Sequence, residues 1–299
     1  MVHVIAPATS ANLGSGFDSI GIALDIYNHI WVEEAERGLE ISVKCRHKLI
    51  PTDKTNLIYK TIANFYKKTG HKLPGLHITQ ENNIPITRGL GSSAACIAGG
   101  LLAANSLSGA NLSKEELMQM AAEIEGHPDN TNPAFLGGMV VGAMDEDQMF
   151  YSKIDLPPEL SFAVMVPDFV VPTEKARNIL PYSVTRNDAI FNSSRAALMV
   201  ASIVTKKYDN LKIAMDDRLH QPYRLQFLPE MKYIFSRALN FGAKGAALSG
   251  SGPALLAVLL EEDAEDFKYK MTEYLRLIPH NWTLSIMRPD YEGAKIITE

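Results

Sequence analysis

Two periods of apolar spacing run interleaved through the 299 residues, one of about two and one of about 3.6. Residues 1–6 and 22–35 read as strands, the second through Tyr27, Ile30, Trp31 and Val32. Residues 56–69 are spaced as a helix and stop at Gly70. Leu76 to Thr79 reads as a strand, followed by a Gly/Ser loop at 89–93 and an apolar, small-residue helix from Ala94 to Ser106. Ser113 and Glu116 form a capping box ahead of an apolar face of Leu117, Met120, Ala121 and Ile124. That helix ends near Gly126-His127-Pro128. Gly137 to Gly142 predicts a strand with close backbone neighbours, closed by a hairpin turn at Asp145 to Asp147.

A boundary falls at Leu156-Pro157-Pro158. Beyond it the pattern gives a strand (Phe162 to Val166), helices near 188–207, 209–219 and 228–241, and a Gly/Ser segment at 245–253. A strand (Ala254 to Leu260), a helix (263–276) and a strand (282–287) complete it. The second half reads as a two-layer unit with helices on one side of a sheet. The whole is an α+β chain of two domains, 1–156 and 157–299, as its length also suggests.

Composition narrows the class. With 46% hydrophobic residues the chain is neither disordered nor fibrous. Its 29 basic and 34 acidic residues give a net charge of −5, and no basic block occurs, which argues against a nucleic-acid partner. The densest basic stretch, Lys44 to Lys48, reads as a solvated loop. Cys45 and Cys96 are too few for a disulfide framework, which points to a reducing, cytoplasmic setting. The start lacks a basic segment followed by an apolar one, and no window approaches about 18 uninterrupted apolar residues, so neither secretion nor membrane spanning is expected.

Three Gly/Ser segments carry the candidate chemistry: Pro7 to Asp18, Pro85 to Ala95, and Leu248 to Pro253. In the second, glycines admit a phosphate to the backbone, and the following helix offers unpaired N–H groups and the positive end of its dipole. The Walker pattern is absent. Gly89 to Ala94 satisfies the looser dinucleotide form G-x-G-x-x-A, which makes an oxidoreductase a rival. It fits poorly, because the polar Glu81-Asn82-Asn83 precedes the loop and no acidic residue ends a second strand about 20 residues on. Two serines at the helix start, by contrast, offer hydroxyls to a phosphate and to Mg²⁺.

In order and spacing these segments resemble the three motifs of the GHMP kinase superfamily. Pro85-x3-Gly-Leu-Gly-Ser-Ser-Ala-Ala is similar to its ATP loop, and Pro7-Ala-Thr-Ser-Ala-Asn-Leu-Gly-x-Gly-Phe-Asp resembles its homoserine-phosphorylating branch. Glu125 to Asn130, Thr173 to Arg177 and His220 to Arg224 also resemble that branch. The resemblance implies an N-terminal domain with a left-handed βαβ element, a C-terminal ferredoxin-like α/β sandwich, a homodimer, and the substrates L-homoserine and ATP with Mg²⁺. For the amino acid it implies Asn12, Asp18, His127, Arg177 and Arg224: Asp18 for the ammonium, the two arginines for the carboxylate, Asn12 and His127 for orientation. The catalytic positions are Asn12, Thr173 and Asp129, the last read either as a base or as a hydrogen-bond acceptor at a helix terminus. For ATP it implies Asn56, Pro85, Arg88, Gly89, Leu90, Gly91, Ser92, Ser93, Ala94 and Ala95, with the 91–95 amides on the phosphates. Asn56 reads equally as a helix N-cap. Ser249 to Gly252 would support the phosphate loop, and Ala254 departs from a frequent serine. The metal positions are Ser93 and Glu123. Helical arithmetic sets Glu123 about 110° from the apolar face, with Glu125 equally available, and the family alignment favours Glu123. Another GHMP small-molecule kinase and a non-catalytic metabolite-binding regulator remain alternatives.

Overall fold

The N-terminal apolar runs are longer than their periodicity suggests. In the computed structural model, which describes residues 1–44, 50–146 and 148–298, β1 (Val2–Asn12) and β2 (Gly16–Ala35) pair antiparallel from Val2↔Val32 to Asn12↔Gly16. Their inward residues Val4, Ile30 and Val32 are fully buried, while His3 and Trp31 stack on the outer face. The alternation assigns one face to the core, as a period of two requires. β3 (Leu39–Lys44) and β4 (Gly75–Asn82) run parallel and are joined through α1 (Leu57–Thr69).

α2 (Ser92–Ser108) crosses beneath this sheet. It is apolar nearly all round, as a buried helix should be, and its small residues permit a close approach. A Cβ at Gly99 would lie 2.4 Å from Ile30 Cδ1. α3 (Lys114–Glu125) carries the expected capping box, and α4 (Pro128–Leu136) restarts almost at once, with Pro128 at its first position. The hairpin of β5 (Met139–Asp145) and β6 (Gln148–Ile154) pairs onto β2.

β7 (Leu160–Pro167) opens the second sheet. It is followed by α5 (Thr173–Asn178), α6 (Arg186–Val204), α7 (Leu211–Ala214), α8 (Gln221–Arg224) and α9 (Met231–Asn240). Then come β8 (Gly245–Leu248), β9 (Leu255–Leu260), α10 (Ala264–Leu275), β10 (Trp282–Met287) and β11 (Lys295–Ile297). The second sheet has the antiparallel order β10-β7-β9-β8, and the first contains β11-β1-β2-β4-β3 with β5 and β6 attached at β2.

Several expectations need correction. β3 and α4 are absent from the periodicity reading. β3 is half exposed, and α4 is a short segment opened by one proline and interrupted by Pro133. The helix expected at 209–219 is a 3-10 turn (208–210) and α7, because the Asp217 carboxylate accepts the amides of Leu219, His220 and Gln221 and starts α8 instead. The Gly/Ser segment at 245–253 begins as β8. Helices cover both faces of the second sheet. α9 and α10 pack on Ala163, Met165, Leu255 and Ala257, and α6 and α7 bring Met199, Ile203, Leu211 and Ala214 against Phe162, Leu256 and Val258. That second layer merges with the core of the N-terminal sheet, so the larger core runs across residue 156. β11 returns to pair with β1 at His3↔Ile297. The Lys44 to Lys48 loop, with Cys45, falls largely outside the described residues, as does Asp147 of the hairpin turn. No helix among the described residues is long and apolar enough to cross a membrane.

Candidate active site

The glycine segments meet where α2 begins. Gly91 is its N-cap at φ 64°, and a Cβ there would sit 1.8 Å from Thr9 Oγ1. Gly89, at φ 79°, has the Ser249 carbonyl oxygen 2.1 Å from where its Cβ would be. Both positions therefore require glycine for conformation and for space. The loop is tied to the first segment by Thr9 N–H donating to Leu90 O (3.2 Å). It is tied to the third by Ala254 N–H donating to Arg88 O (3.0 Å) and the Ser249 hydroxyl donating to Gly89 O (2.6 Å). No side chain caps α2, which leaves its first amides open to an anion. Ala95 N–H is spent on Gly91 O (3.0 Å), so the cradle stops one residue short of the expected 91–95. The Arg88 side chain turns away from the loop, donating to the carbonyls of Pro167 (3.1 Å) and Asp168 (3.2 Å).

This loop lines a cavity of about 250 Å³ whose walls sort by residue type into an apolar arm and a polar arm. One arm is an apolar slot between Pro51, Leu57, Pro85, Ile86, Leu90 and Cys96. Asn56 borders it and is the α1 N-cap. Its Oδ1 accepts Ile58 N–H (2.9 Å), and its Nδ2 donates to Pro51 O (2.8 Å). Burial pushes the Cys96 thiol up to about 12, so it stays protonated. At the mouth, Ser93 Oγ donates to Glu125 Oε1 at 2.8 Å. Glu123 does not join them: it pairs with Lys68 on the surface. Two residues along a helix turn a side chain through about 200°, so only one of these glutamates can face α2. Glu125 is the one that meets Ser93, and Glu123, the expected metal position, stands apart from it.

The other arm is polar and gathers residues from distant segments. The β1–β2 junction holds Asn12 at the end of β1, Leu13 in the turn and Asp18 at the start of β2 at φ 71°, 47° and 54°, a conformation costly for residues with a Cβ and characteristic of functional sites. Asn12 Oδ1 accepts Asp18 N–H (2.9 Å), and its Nδ2 donates to Gly250 O (2.9 Å). Arg177 forks onto Asp18 at 2.8 and 3.2 Å. His127 Nδ1 is hydrogen-bonded to the buried carboxylate of Asp129. Burial lowers the His127 pKa, but the bond to Asp129 and its charge outweigh that and leave it raised. Thr173 Oγ1 lies 3.3 Å from Ser251 Oγ.

Arg224 is almost fully buried, and the charge is held by donated bonds: Nε to Ala176 O (3.2 Å), and Nη1 to Gly250 O (3.0 Å) and His220 Nδ1 (3.0 Å). Burial and then the neighbouring Arg177 bring its pKa down to about 10, still well above neutrality. His220 has no exposed surface. Burial depresses it to about 4 against the opposing pull of Asp217, so it is neutral.

The structure thus lines one cavity with Asn12, His127, Asp129, Thr173, Arg177, Arg224 and the 89–93 loop, and Arg177 holds Asp18 beside it. It sets Glu123 and the Arg88 side chain outside, and it buries the side chains of Ala94 and Ala95 in the core. Sequence reasoning did not single out the Gly250 carbonyl, Ser251 or the role of His220. A backbone carbonyl has no residue-type signal, and His220 appeared only as part of a segment.

A glycine-cradled helix N-terminus joined to a cavity with a cluster of charged and polar side chains, on this pair of sheets, defines a GHMP-type kinase. Residues 56–138 match the family model for the GHMP kinases N terminal domain, and residues 199–277 that for the GHMP kinases C terminal. The chain is 46% identical, over 100% of its length and 97% of the relative's, to the homoserine kinase of Caldicellulosiruptor saccharolyticus. A crystal structure of homoserine kinase from Cytophaga hutchinsonii superposes with a TM-score of 0.89 at 28% identity, covering 99% of this chain and 97% of that one. A mevalonate kinase structure shares the fold at 16% identity and a TM-score of 0.72, over 97% and 99% of the two chains. The chain belongs to the homoserine kinase family.

Proposed function

We propose that the chain transfers the terminal phosphoryl group of ATP to the side-chain hydroxyl of L-homoserine, giving ADP and O-phospho-L-homoserine, a step toward threonine. The observation that carries this reading is a cavity whose wall joins the uncapped N-terminus of α2 to Arg177 and Arg224, with Asp18 held against it by Arg177. ATP would lie with its base in the apolar slot beside Asn56 and its phosphates on the 89–94 backbone. Homoserine would fill the polar arm, its ammonium toward Asp18 and its carboxylate toward Arg177 and the Nη2 edge of Arg224, which has no hydrogen-bond partner among the described residues, where planar donors match a carboxylate. The Arg177–Asp18 ion pair holds opposite charges side by side, complementary to a zwitterion.

Asn12 fixes the Asp18 turn, and Thr173 and Ser251 place hydroxyls near the phosphoryl path. Asp129 is engaged by His127, which makes it first an orienting acceptor. Phosphoryl transfer through a loose transition state asks little of a base and much of positioning and charge. The Ser93 hydroxyl and Glu125 carboxylate are hard oxygen donors beside the phosphate cradle and suit Mg²⁺. When bound, the ion would neutralise charge on the phosphate oxygens. The same reading makes the protein a cytoplasmic homodimer of two domains divided near residue 156, which sedimentation and limited proteolysis would test.

The reading is tested by following ADP release with Mg·ATP and homoserine, serine, threonine, mevalonate or galactose. Homoserine should be turned over far faster than the others. Equal turnover of mevalonate or galactose would favour a different GHMP kinase, and binding without turnover a regulator.

A further inference from the structure

His220 does not line the cavity, has no exposed surface, and joins Arg224 of the polar arm to Phe17 and the Gly14 turn behind it. Its ring stacks on Phe17 with centroids 5.0 Å apart, and Phe17 in turn lies under the Arg224 guanidinium at 5.6 Å. Nε2 sits 2.8 Å from the Gly14 carbonyl and 3.5 Å from the Asp217 carboxylate, both acceptors only. Nδ1 sits 3.0 Å from Arg224 Nη1, a donor only. These partners admit one tautomer: Nε2 carries the proton and donates to Gly14, while Nδ1 presents its lone pair to arginine. The Gly14 turn is crowded enough to fix the other end, since a Cβ on Gly14 would fall 1.9 Å from Met215 O.

Arg224 is then fully specified on one side. Ala176 O, Gly250 O and His220 Nδ1 take Nε and Nη1, and Nη2 is left without a protein partner among the described residues. We infer that His220 is a positioning residue for the substrate carboxylate: as a neutral acceptor between the Gly14 turn and Arg224, it dictates that the Nη2 edge is the one offered to the cavity. Without it, Nη1 loses a partner and the guanidinium can rotate about its long side chain, so the fork no longer waits in place for a carboxylate. The inference rests on the assignment of Arg224 to that carboxylate.

The test uses two imperfect copies of the imidazole and two substrates. His220→Asn retains an acceptor close to Nδ1; His220→Gln retains a donor close to Nε2 and removes the acceptor. Each is assayed with homoserine and with 3-amino-1-propanol, which has the amine and the hydroxyl but no carboxylate. The expected result is that His220→Gln raises the homoserine KM by about 10-fold, the scale of one lost charge-assisted bond, with the ATP KM unchanged. His220→Asn should stay within about 3-fold of the unmodified chain. The preference for homoserine over 3-amino-1-propanol should shrink in His220→Gln and persist in His220→Asn. A structural role alone would weaken both substrates alike in either variant, and that outcome would overturn the inference. If His220→Gln does not fold, loss of the preference in folded His220→Asn would equally overturn it. Absence of any preference in the unmodified chain would remove the Arg224 assignment and the inference with it, while leaving ATP-dependent turnover of homoserine to stand or fall separately.

Discussion

The two ends of the cavity are built by opposite means. At the glycine-loop end, where the proposed phosphate cradle lies, the exposed groups are mostly backbone, drawn from one short stretch, and the requirement on the sequence is for the absence of side chains. Gly89 and Gly91 are there because a Cβ at either would strike another segment. At the polar end, the proposed amino-acid site, the groups on offer are side chains from several separated elements: Asn12 and Asp18, His127 and Asp129, Thr173 and Arg177, and Arg224. Each is held by a partner rather than by its own backbone. The first end should therefore fail abruptly and for every substrate, the second gradually and selectively.

The sharpest break is expected from Gly89→Ala. Its Cβ would meet both Ser249 O and Gly252 N (2.8 Å), backbone atoms that cannot step aside. Turnover should fall by about 1000-fold or more for homoserine and any analogue alike, with Tm lowered as well. A variant with normal turnover would show that the three segments are not packed as described.

Glu125→Gln comes next. If Glu125 holds the metal as proposed, kcat should fall by about 100-fold with little change in homoserine KM, because such a carboxylate matters most in the transition state. Its counterpart Glu123→Gln disturbs only an exposed pair with Lys68 and should stay within about 2-fold. Reversal of that order would return the metal to Glu123. Arg224→Lys tests the selective end. Lysine retains a charge but not the fork, so homoserine KM should rise by roughly 10-fold or more while ATP KM stays put. Equal weakening of both ligands would mark Arg224 as structural.

The smallest effect is in pH. His220 is depressed from 6.5 to about 4 in the folded chain by burial, so the fold favours its neutral form. Its contribution to stability is fully present above 6.5 and declines as pH falls from there toward 4. Asp217, Asp18 and Arg224 surround it and modulate that limb. His127 has the opposite sign: raised by Asp129, it stabilises below its unfolded pKa and loses that contribution as pH rises through its folded value. Between pH 7 and 5, Tm should fall by about 3 °C less in His220→Asn than in the unmodified chain. Parallel curves would contradict the neutral assignment.

The same contrast decided what the sequence could tell. The phosphate loop was readable because glycine spacing and a following apolar helix are local signals, and the α3 capping box was readable for the same reason. The ferredoxin-like order of the second sheet was reached through resemblance rather than pattern. α4 was missed because a proline that opens a helix also reads as one that ends the previous helix. The choice between Glu123 and Glu125 depended on which side of α3 faces α2, a tertiary fact that helical phase alone leaves open. The roles of Arg177 and Arg224 came only from the resemblance, because an isolated arginine reads as a surface ion pair. Burial of Arg224 at 3% exposure with three backbone and ring partners is invisible to composition.

One acceptor in the polar arm is encoded in an unusual way. The Gly250 carbonyl receives both Asn12 and Arg224, and a carbonyl oxygen is supplied by every amino acid, so no codon change at position 250 deletes it. What a codon change can alter is the backbone that aims it, because Gly250 sits at φ 53° and a Cβ there would lie 3.2 Å from Gly89 O. Saturation mutagenesis at this position should therefore rank substitutions by their tolerance of the left-handed region, asparagine and aspartate above alanine and alanine above valine. Polarity or charge should not set the order. The site's shared anchor is in this sense written in dihedral angles rather than in chemical groups, and drift in the gene reaches it only by bending the chain.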